Sequence, residues 1–346
     1  MKPTQHSTVP APPHSNPVRF PAEWEPQDAV LIAWPHTETD WAPYLDEAEK
    51  VFLKIAEAVT RFETLIVATP EPDAVREKLP HLDRVRVFDI ETNDTWARDF
   101  GPITIFEDGK PLLLDFTFTG WGGKFEAGLD DRITSTLHKA GAFGETPFRK
   151  VDLILEGGSI ESDGEGTLLT TTECLLNPNR NEKLSKEQIE KKLTIDLGSK
   201  QFQWLENGAL AGDDTDAHID TLARLCPNHT ILYVQCDDPT DEHFEIFQGL
   251  ENELKQTDFR LIPLPWPKAK FGADGDRLPA TYANYLVIND AVLVPTYNDP
   301  ADFQALETVQ QAFPDREIIG IDCSTLIRQH GSLHCVTMQI PQGVLK

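Results

Sequence analysis

Short apolar runs separated by turn residues dominate the chain from residue 29 onward. ITIFEDGKPLLLDF (103–116) sets Asp108-Gly109 between two such runs, SIESDGEGTLLTTT (159–172) does the same with Asp163-Gly164, and YLVINDAVLVPTY (285–297) with Asn289-Asp290. Each predicts a two-residue hairpin whose central residues take positive φ. Asn289-Asp290 is the weaker signal, because Asp tolerates that conformation less well than Gly. Helical stretches follow the hairpins. DDRITSTLHKAG closes on Gly141, SKEQIEKKLTIDLG closes on Gly198, and PADFQALETVQQAF opens on Pro300 and stops before Pro314.

AVLIAW (29–34), ETLIVAT (63–69), TILYVQC (230–236), RLIPLPW (260–266) and EIIGIDC (317–323) read as further strands. A unit of hairpin, helix and strand therefore recurs roughly every 50 to 70 residues, a period that suggests radial repeats. HCVTMQIP (334–341) is placed to close a ring against the first strand. Residues 1–20 are polar and Pro-rich and read as a disordered tail ending near Arg19. No linker composition interrupts 21–346, which reads as one domain.

Composition narrows the function. The 346 residues carry 31 Lys plus Arg against 57 Asp plus Glu, a formal charge of −26. That surface repels nucleic acid and anionic membranes and favours small cations. No apolar run reaches the ~20 residues that span a bilayer, and no signal-peptide pattern opens the chain. Cys174, Cys226, Cys236, Cys323 and Cys335 are few, odd in number and widely spaced. They point to a reducing compartment, the cytoplasm, rather than to a disulfide framework or structural zinc. Oligomeric state is open; a homo-oligomer is compatible with the sequence.

Four segments could carry chemistry. Cys335 lies at the head of a strand-like run after Gly331, which permits an unusual turn, whereas the other four cysteines read as small buried hydrophobes. His334 is its neighbour, but adjacent strand residues face opposite ways, so the base must come from elsewhere. AGDDTDAHIDTLARLC (211–226) offers His218 among Asp213, Asp214, Asp216 and Asp220. LARL looks helical, so an acidic helix N-terminus is the plain alternative; calcium-loop and zinc spacings are absent. In NDTWARDFGP (93–102), Trp96 and Asp99 precede Gly101-Pro102, and Trp96 could equally be core and Asp99 a partner of Arg98. In LEGGSI (155–160), Glu156 ends a strand before two glycines. No phosphate-loop motif occurs. A thiol, a histidine and several carboxylates together suit nucleophilic attack on a cationic guanidinium, which carboxylates hold through paired charge-assisted hydrogen bonds.

These segments resemble the agmatine deiminase and Porphyromonas-type peptidylarginine deiminase family across residues 21–346. PAEWEPQDAVLIAWP (21–35) is similar to its N-terminal signature, DTWARDFGP to its Trp-x-Arg-Asp segment, FTGWGGKF (118–125) to its Trp-Gly-Gly element and EGGSI to its Glu-Gly-Gly strand end. GDDTDAHID resembles the His-x-Asp motif, YANYLVIND the Tyr-x-Asn hairpin and HGSLHCVTMQIP the cysteine segment. The resemblance implies an α/β fold of five blades with pseudo-fivefold symmetry, the pentein propeller, with a site where the blades meet. It implies Cys335 as nucleophile, His218 as acid/base, Asp99 and Asp220 as guanidinium clamp, Glu156 orienting His218, and Trp96, Trp121 and Asn284 at the substrate. Where agmatine deiminases usually have Gly-Gly-Gly-Asn-Ile-His-Cys, this chain has Gln329-His330-Gly331-Ser332-Leu333-His334-Cys335.

The implied reaction is hydrolysis through an amidino-cysteine intermediate, without metal or organic cofactor. Agmatine is the expected substrate, since no arginine stands between Asp99 and Arg132 to hold a substrate carboxylate. Peptidylarginine is the second choice, an amidinotransferase the third. A silent pentein that binds arginine-like ligands or a protein is the non-enzymatic alternative.

Overall fold

The computed structural model describes residues 17–346. It is mixed α/β, and one order of elements occurs five times among the described residues: an antiparallel strand pair, a helix, and a third strand parallel to the second. The pair Ile103–Glu107 and Lys110–Thr117 is followed by helix Ile133–Lys139 and strand Phe148–Ile154. The next copies run Ile160–Ser162, Thr167–Thr171, helix Lys186–Leu197 and Gln201–Leu205; then Ala223–Cys226, Thr230–Val234, helix Phe244–Leu254 and Arg260–Leu264. Leu286–Ile288, Ala291–Thr296, helix Asp302–Ala312 and Glu317–Asp322 form the fourth. The fifth joins the two ends of the chain. Met338–Pro341 pairs antiparallel with Gln27–Ala33, which continues through helix Leu45–Thr60 to the parallel strands Thr64–Thr69 and Val85–Asp89.

Local sequence explains most of these elements. Leu45–Thr60 buries Ala48, Val51, Phe52, Ile55, Ala56 and Val59 at helical spacing, and Asp46 and Glu47 sit in its first turn. Each of its fully buried Val, Ile and Phe side chains contributes ~1.5–3 kcal/mol. Lys186–Leu197 opens on a reciprocal capping box between Ser185 and Gln188 and stops at Gly198, whose φ is +74°.

Several expectations change. Val18–Arg19, assigned to the tail, pairs with Phe106–Glu107; residues 1–16 lie outside the described part. LARL is not helical: Ala223–Cys226 is a strand, turned back by Asn228 and His229 at positive φ into a hairpin the acidic run had obscured. Asp108-Gly109 has two positive φ values as expected, but of Asn289-Asp290 only Asp290 does, and Asp163-Gly164 belongs to a four-residue loop in which Gly164 and Gly166 do. Cys335 lies in a turn ahead of Met338–Pro341 rather than at the head of the strand.

This repetition positions the site. Asp99, Glu156, Asp220, Asn284 and Cys335 each lie in the segment leading into the first strand of a pair, at Ile103, Ile160, Ala223, Leu286 and Met338. Five dissimilar sequences thus deliver one polar residue each from the same topological position. No helix among the described residues is long and apolar enough to cross a membrane.

Candidate active site

Trp96 and Asp99 sit on the single helical turn Ala97–Phe100, which Gly101-Pro102 terminates. Asp99 is buried. One of its carboxylate oxygens accepts from Gly158 N at 3.0 Å and the other from Trp121 Nε1 at 2.9 Å. Trp121 reaches it only because its backbone is left-handed (φ +54°), between glycines that share that region. Such a residue costs ~1–3 kcal/mol, strain of the kind that collects at functional sites. Arg98 does not pair with Asp99; it points away toward Gln339 and, at 3.7 Å, Glu23.

His218 is buried just before the short turn Ile219–Thr221. Its Nδ1 lies 3.6 Å from Asp99 and its Nε2 3.8 Å from Glu156, and neither makes a hydrogen bond. Asp220 Oδ1 is likewise buried and unpartnered. Unpaired buried polar atoms are costly, and these two residues hold three of them. Gly158 leaves room where three of the side chains converge: a Cβ there would stand 2.6 Å from His218 Nδ1, 2.9 Å from Asp99 Oδ1 and 3.2 Å from Asp220 Oδ2.

Cys335 is held by Asn284, whose Oδ1 accepts from the Cys335 amide and thiol, each at 3.3 Å, and from His334 N at 2.9 Å. Gly331 serves Trp96 rather than a strained turn, since a Cβ would meet the indole at 2.1 Å; the positive φ belongs to His330. Gln329 donates to Asp40 O at 2.8 Å and His330 to Gly212 O at 2.7 Å, so the two residues that replace glycines brace the rim.

A cavity of about 460 Å³ leads to Asp99 and Cys335 between Trp96 and Trp121. Glu38, Asp40, Asp94, Glu126, Asp130 and Asp214 also line it, and among the described residues neither Lys nor Arg does. His218, Glu156, Asp220 and Asn284 are buried behind this lining.

Electrostatics follow from burial and neighbours. Burial raises Asp99 to about 6, with His218 opposing and Asp220 assisting. Burial, and secondarily a neighbouring carboxylate, likewise raises Asp94 to about 6 and Asp130 to about 8. Burial would push His218 down, yet Asp99, Cys174 and Glu156 hold it well above 6.5, as an imidazolium at neutral pH. Burial and then the Asp220 and Asp99 carboxylates push the Cys335 thiol well above 9, so it is protonated in the resting site. Burial also works against ionised Glu156 and Asp220, but His218 with Arg180 and His334 with His218 respectively keep both below the ordinary range.

Sequence reasoning missed Arg180, whose Nε donates to both Glu156 oxygens at 3.0 and 2.8 Å while Nη1 reaches Asp216 at 2.8 Å. The usable signal was that a buried Glu156 needs a cation. It also missed Cys174, within 4.8 Å of both Glu156 and His218, and a second cluster of Glu23, Glu161 and His334. Both clusters have the donors for a metal ion, but Arg180 already neutralises Glu156, and Arg224 contacts both Glu23 and Glu161.

The chain as a whole is similar to known proteins in sequence and fold. A C. jejuni agmatine deiminase carrying a cysteine-to-serine change, solved with substrate bound, is 42% identical, with a TM-score of 0.92 over 94% of this chain and 97% of its own. A solved structure described provisionally as a peptidyl-arginine deiminase is 46% identical, with a TM-score of 0.92 over 94% and 99%. A Marinomonas sp. (strain MWYL1) protein provisionally named agmatine deiminase is 33% identical over 97% of this chain and 98% of its own. The profile of one family matches residues 19–341, a span that contains all of the residues described above, and the chain belongs to that family, the Porphyromonas-type peptidyl-arginine deiminases.

Proposed function

We propose that the protein hydrolyses agmatine to N-carbamoylputrescine and ammonia, with Cys335 as nucleophile and His218 as general acid and base. The observation that carries the substrate choice is the cavity wall, six acidic side chains beyond Asp99 and, among the described residues, neither Lys nor Arg. Agmatine carries a guanidinium at one end and an ammonium at the other, and has no carboxylate. Arginine or a C-terminal arginine would bring an anion among these acids without a partner, at a cost of several kcal/mol. The names of the C. jejuni and Marinomonas relatives support the same reading. The five unpaired cysteines suit a cytoplasmic enzyme. Five strand-helix-strand units, the last built from both chain ends, support the five-bladed pentein propeller.

The guanidinium enters between Asp99 and Asp220 and satisfies the free Asp220 oxygen. Its charge cancels the two carboxylates that, after burial, keep Cys335 protonated, so the thiol releases its proton to water as substrate binds. The thiolate attacks the central carbon, giving a neutral tetrahedral adduct. His218 passes its proton to one amino group, ammonia departs, and a cationic amidino-thioether remains. Neutral His218 then takes a proton from water, the hydroxide adds to the same carbon, and the C–S bond breaks as the hydroxyl proton passes to the departing sulfur, which releases the neutral ureido group and restores the thiol. Glu156, fixed by Arg180, holds His218 through both steps.

Rapid acid quench with agmatine, followed by peptide mass analysis, tests this sequence. The peptide containing Cys335 should gain the mass of agmatine less ammonia, and Cys335→Ser should abolish turnover in a folded protein. An adduct on another cysteine, or turnover by Cys335→Ser, would refute it.

A further inference from the structure

The N-terminal signature segment and His334 play no part in the reaction sequence above, yet the fold joins them directly behind Asp220. His334 is buried; its Nδ1 lies 2.7 Å from Asp220 Oδ2 and its Nε2 2.7 Å from Glu23 Oε2. A carboxylate oxygen only accepts, so Nδ1 donates to Asp220, and Nε2 lies closer to the Glu23 acceptor, at 2.7 Å, than to the Arg224 donor, at 3.0 Å. Burial opposes charge on Glu23, but His334 and Arg224 hold its carboxyl far below the usual range. Glu23 is therefore an acceptor. Arg224 Nη2 donates to Glu23 Oε2 at 3.0 Å and lies 3.0 Å from His334 Nε2. Glu161 pairs with the same guanidinium from below, and Arg98 approaches Glu23 at 3.7 Å. Arg224 Nη1 donates to Ala283 O and Tyr285 O, on either side of the Asn284 that holds Cys335.

We propose that His334 is a positioning residue for the deimination: its ring bridges Asp220 and Glu23, donating to both, and fixes Asp220 toward the guanidinium. Glu23 is the far end of this device, which gives the N-terminal segment a role at the site. A neutral ring would leave one carboxylate facing a lone pair at 2.7 Å, a repulsive contact deep in the protein. The adjacency of His334 to Cys335 follows from the same geometry, since successive residues of the turn send one side chain to the cavity and the other to the back of Asp220. The proposal rests on Asp220 holding substrate, so its test includes a reading independent of turnover.

The test compares wild type, His334→Gln and Glu23→Gln as full chains. ¹⁵N spectra of histidine-labelled protein at pH 7 should show one ring with both nitrogens protonated that is absent from His334→Gln; a neutral tautomer at His334 would overturn the proposal. Agmatine kcat/KM is then followed from about pH 5 to 9. In wild type the acid limb is set by Asp99, near its value of about 6. In His334→Gln a second carboxylate titrates with it, so the limb steepens toward second order and moves to higher pH. Efficiency at neutral pH should fall roughly tenfold or more, chiefly through KM, and recover as pH rises. Glu23→Gln should move the limb the same way by less, and decides the matter should His334→Gln not fold. A loss that is equal at every pH, with the wild-type limb, would mean a merely structural role. Wild type inactive on agmatine would refute the deiminase reading instead, leaving the nitrogen spectra to judge the bridge.

Discussion

Gly158 offers a direct test of the site geometry, because one methyl group there reaches three of its residues. Its φ lies outside the left-handed region, so Gly158→Ala carries no backbone penalty of that kind. The new Cβ would lie 2.6 Å from His218 Nδ1 and 2.9 Å from Asp99 Oδ1, short of an ordinary 3.4 Å contact by about 0.8 and 0.5 Å. Both neighbours are buried, so relief must come from shifting them or the 157–159 turn, whose amide also donates to Asp99. Overpacking of this size costs ~1–3 kcal/mol of stability, which a folded domain survives. Misplacing reacting groups by nearly 1 Å costs about a hundredfold in rate. Ammonia release should therefore show kcat/KM for agmatine down by about two orders of magnitude, while thermal melting still reports a cooperative fold. Gly128→Ala, whose Cβ meets nothing within 4 Å, should stay near wild type. Gly158→Ala with more than about a third of wild-type efficiency would refute the placement of His218 and Asp99 around one reacting point.

Other consequences are equally measurable. Asp99→Asn and Asp220→Asn each remove a charge-assisted partner worth ~1.5–3 kcal/mol, so kcat/KM should fall roughly ten- to a hundredfold; losses under about threefold in both would mean they do not hold the guanidinium. Burial raises the carboxyls of Glu63 and Asp130 to about 7 and about 8, above their unfolded values, so the stability they lend is complete in acid and is lost as pH rises through those values. The melting temperature should accordingly decline from about pH 4 to 8 and level off above it, and Asp130→Asn should flatten the upper part; a rising Tm between about pH 5 and 8 would contradict the assignment.

What the sequence made legible is what local chemistry decides. Asp108-Gly109 and Gly198 act within a few residues, and each stands where expected. Cys335, His218, Asp99 and Glu156 were recognisable from short motifs, and the structure brings them together around Gly158 and the cavity end. Ala223–Cys226 was misread because four residues cannot display a helical or strand period, and the preceding aspartates imitate a helix cap. Asp213 in fact turns back on its own loop, accepting from Thr215 N and Ala217 N. Arg180, Glu23 and His334 were hidden for another reason. Each acts on a residue far away in sequence, such as Glu156 or Asp220, and nothing local marks a long-range ion pair.

The central claim is that this acidic cavity selects a guanidine bearing an amine and no carboxylate. The measurement closest to it is ammonia release from agmatine, free arginine and C-terminal-arginine peptides under identical conditions. The cavity's acidic side chains, with neither Lys nor Arg among the described residues, predict kcat/KM for agmatine at least about a hundredfold above that for arginine, with little action on peptides. Comparable efficiency on C-terminal-arginine peptides would contradict the account.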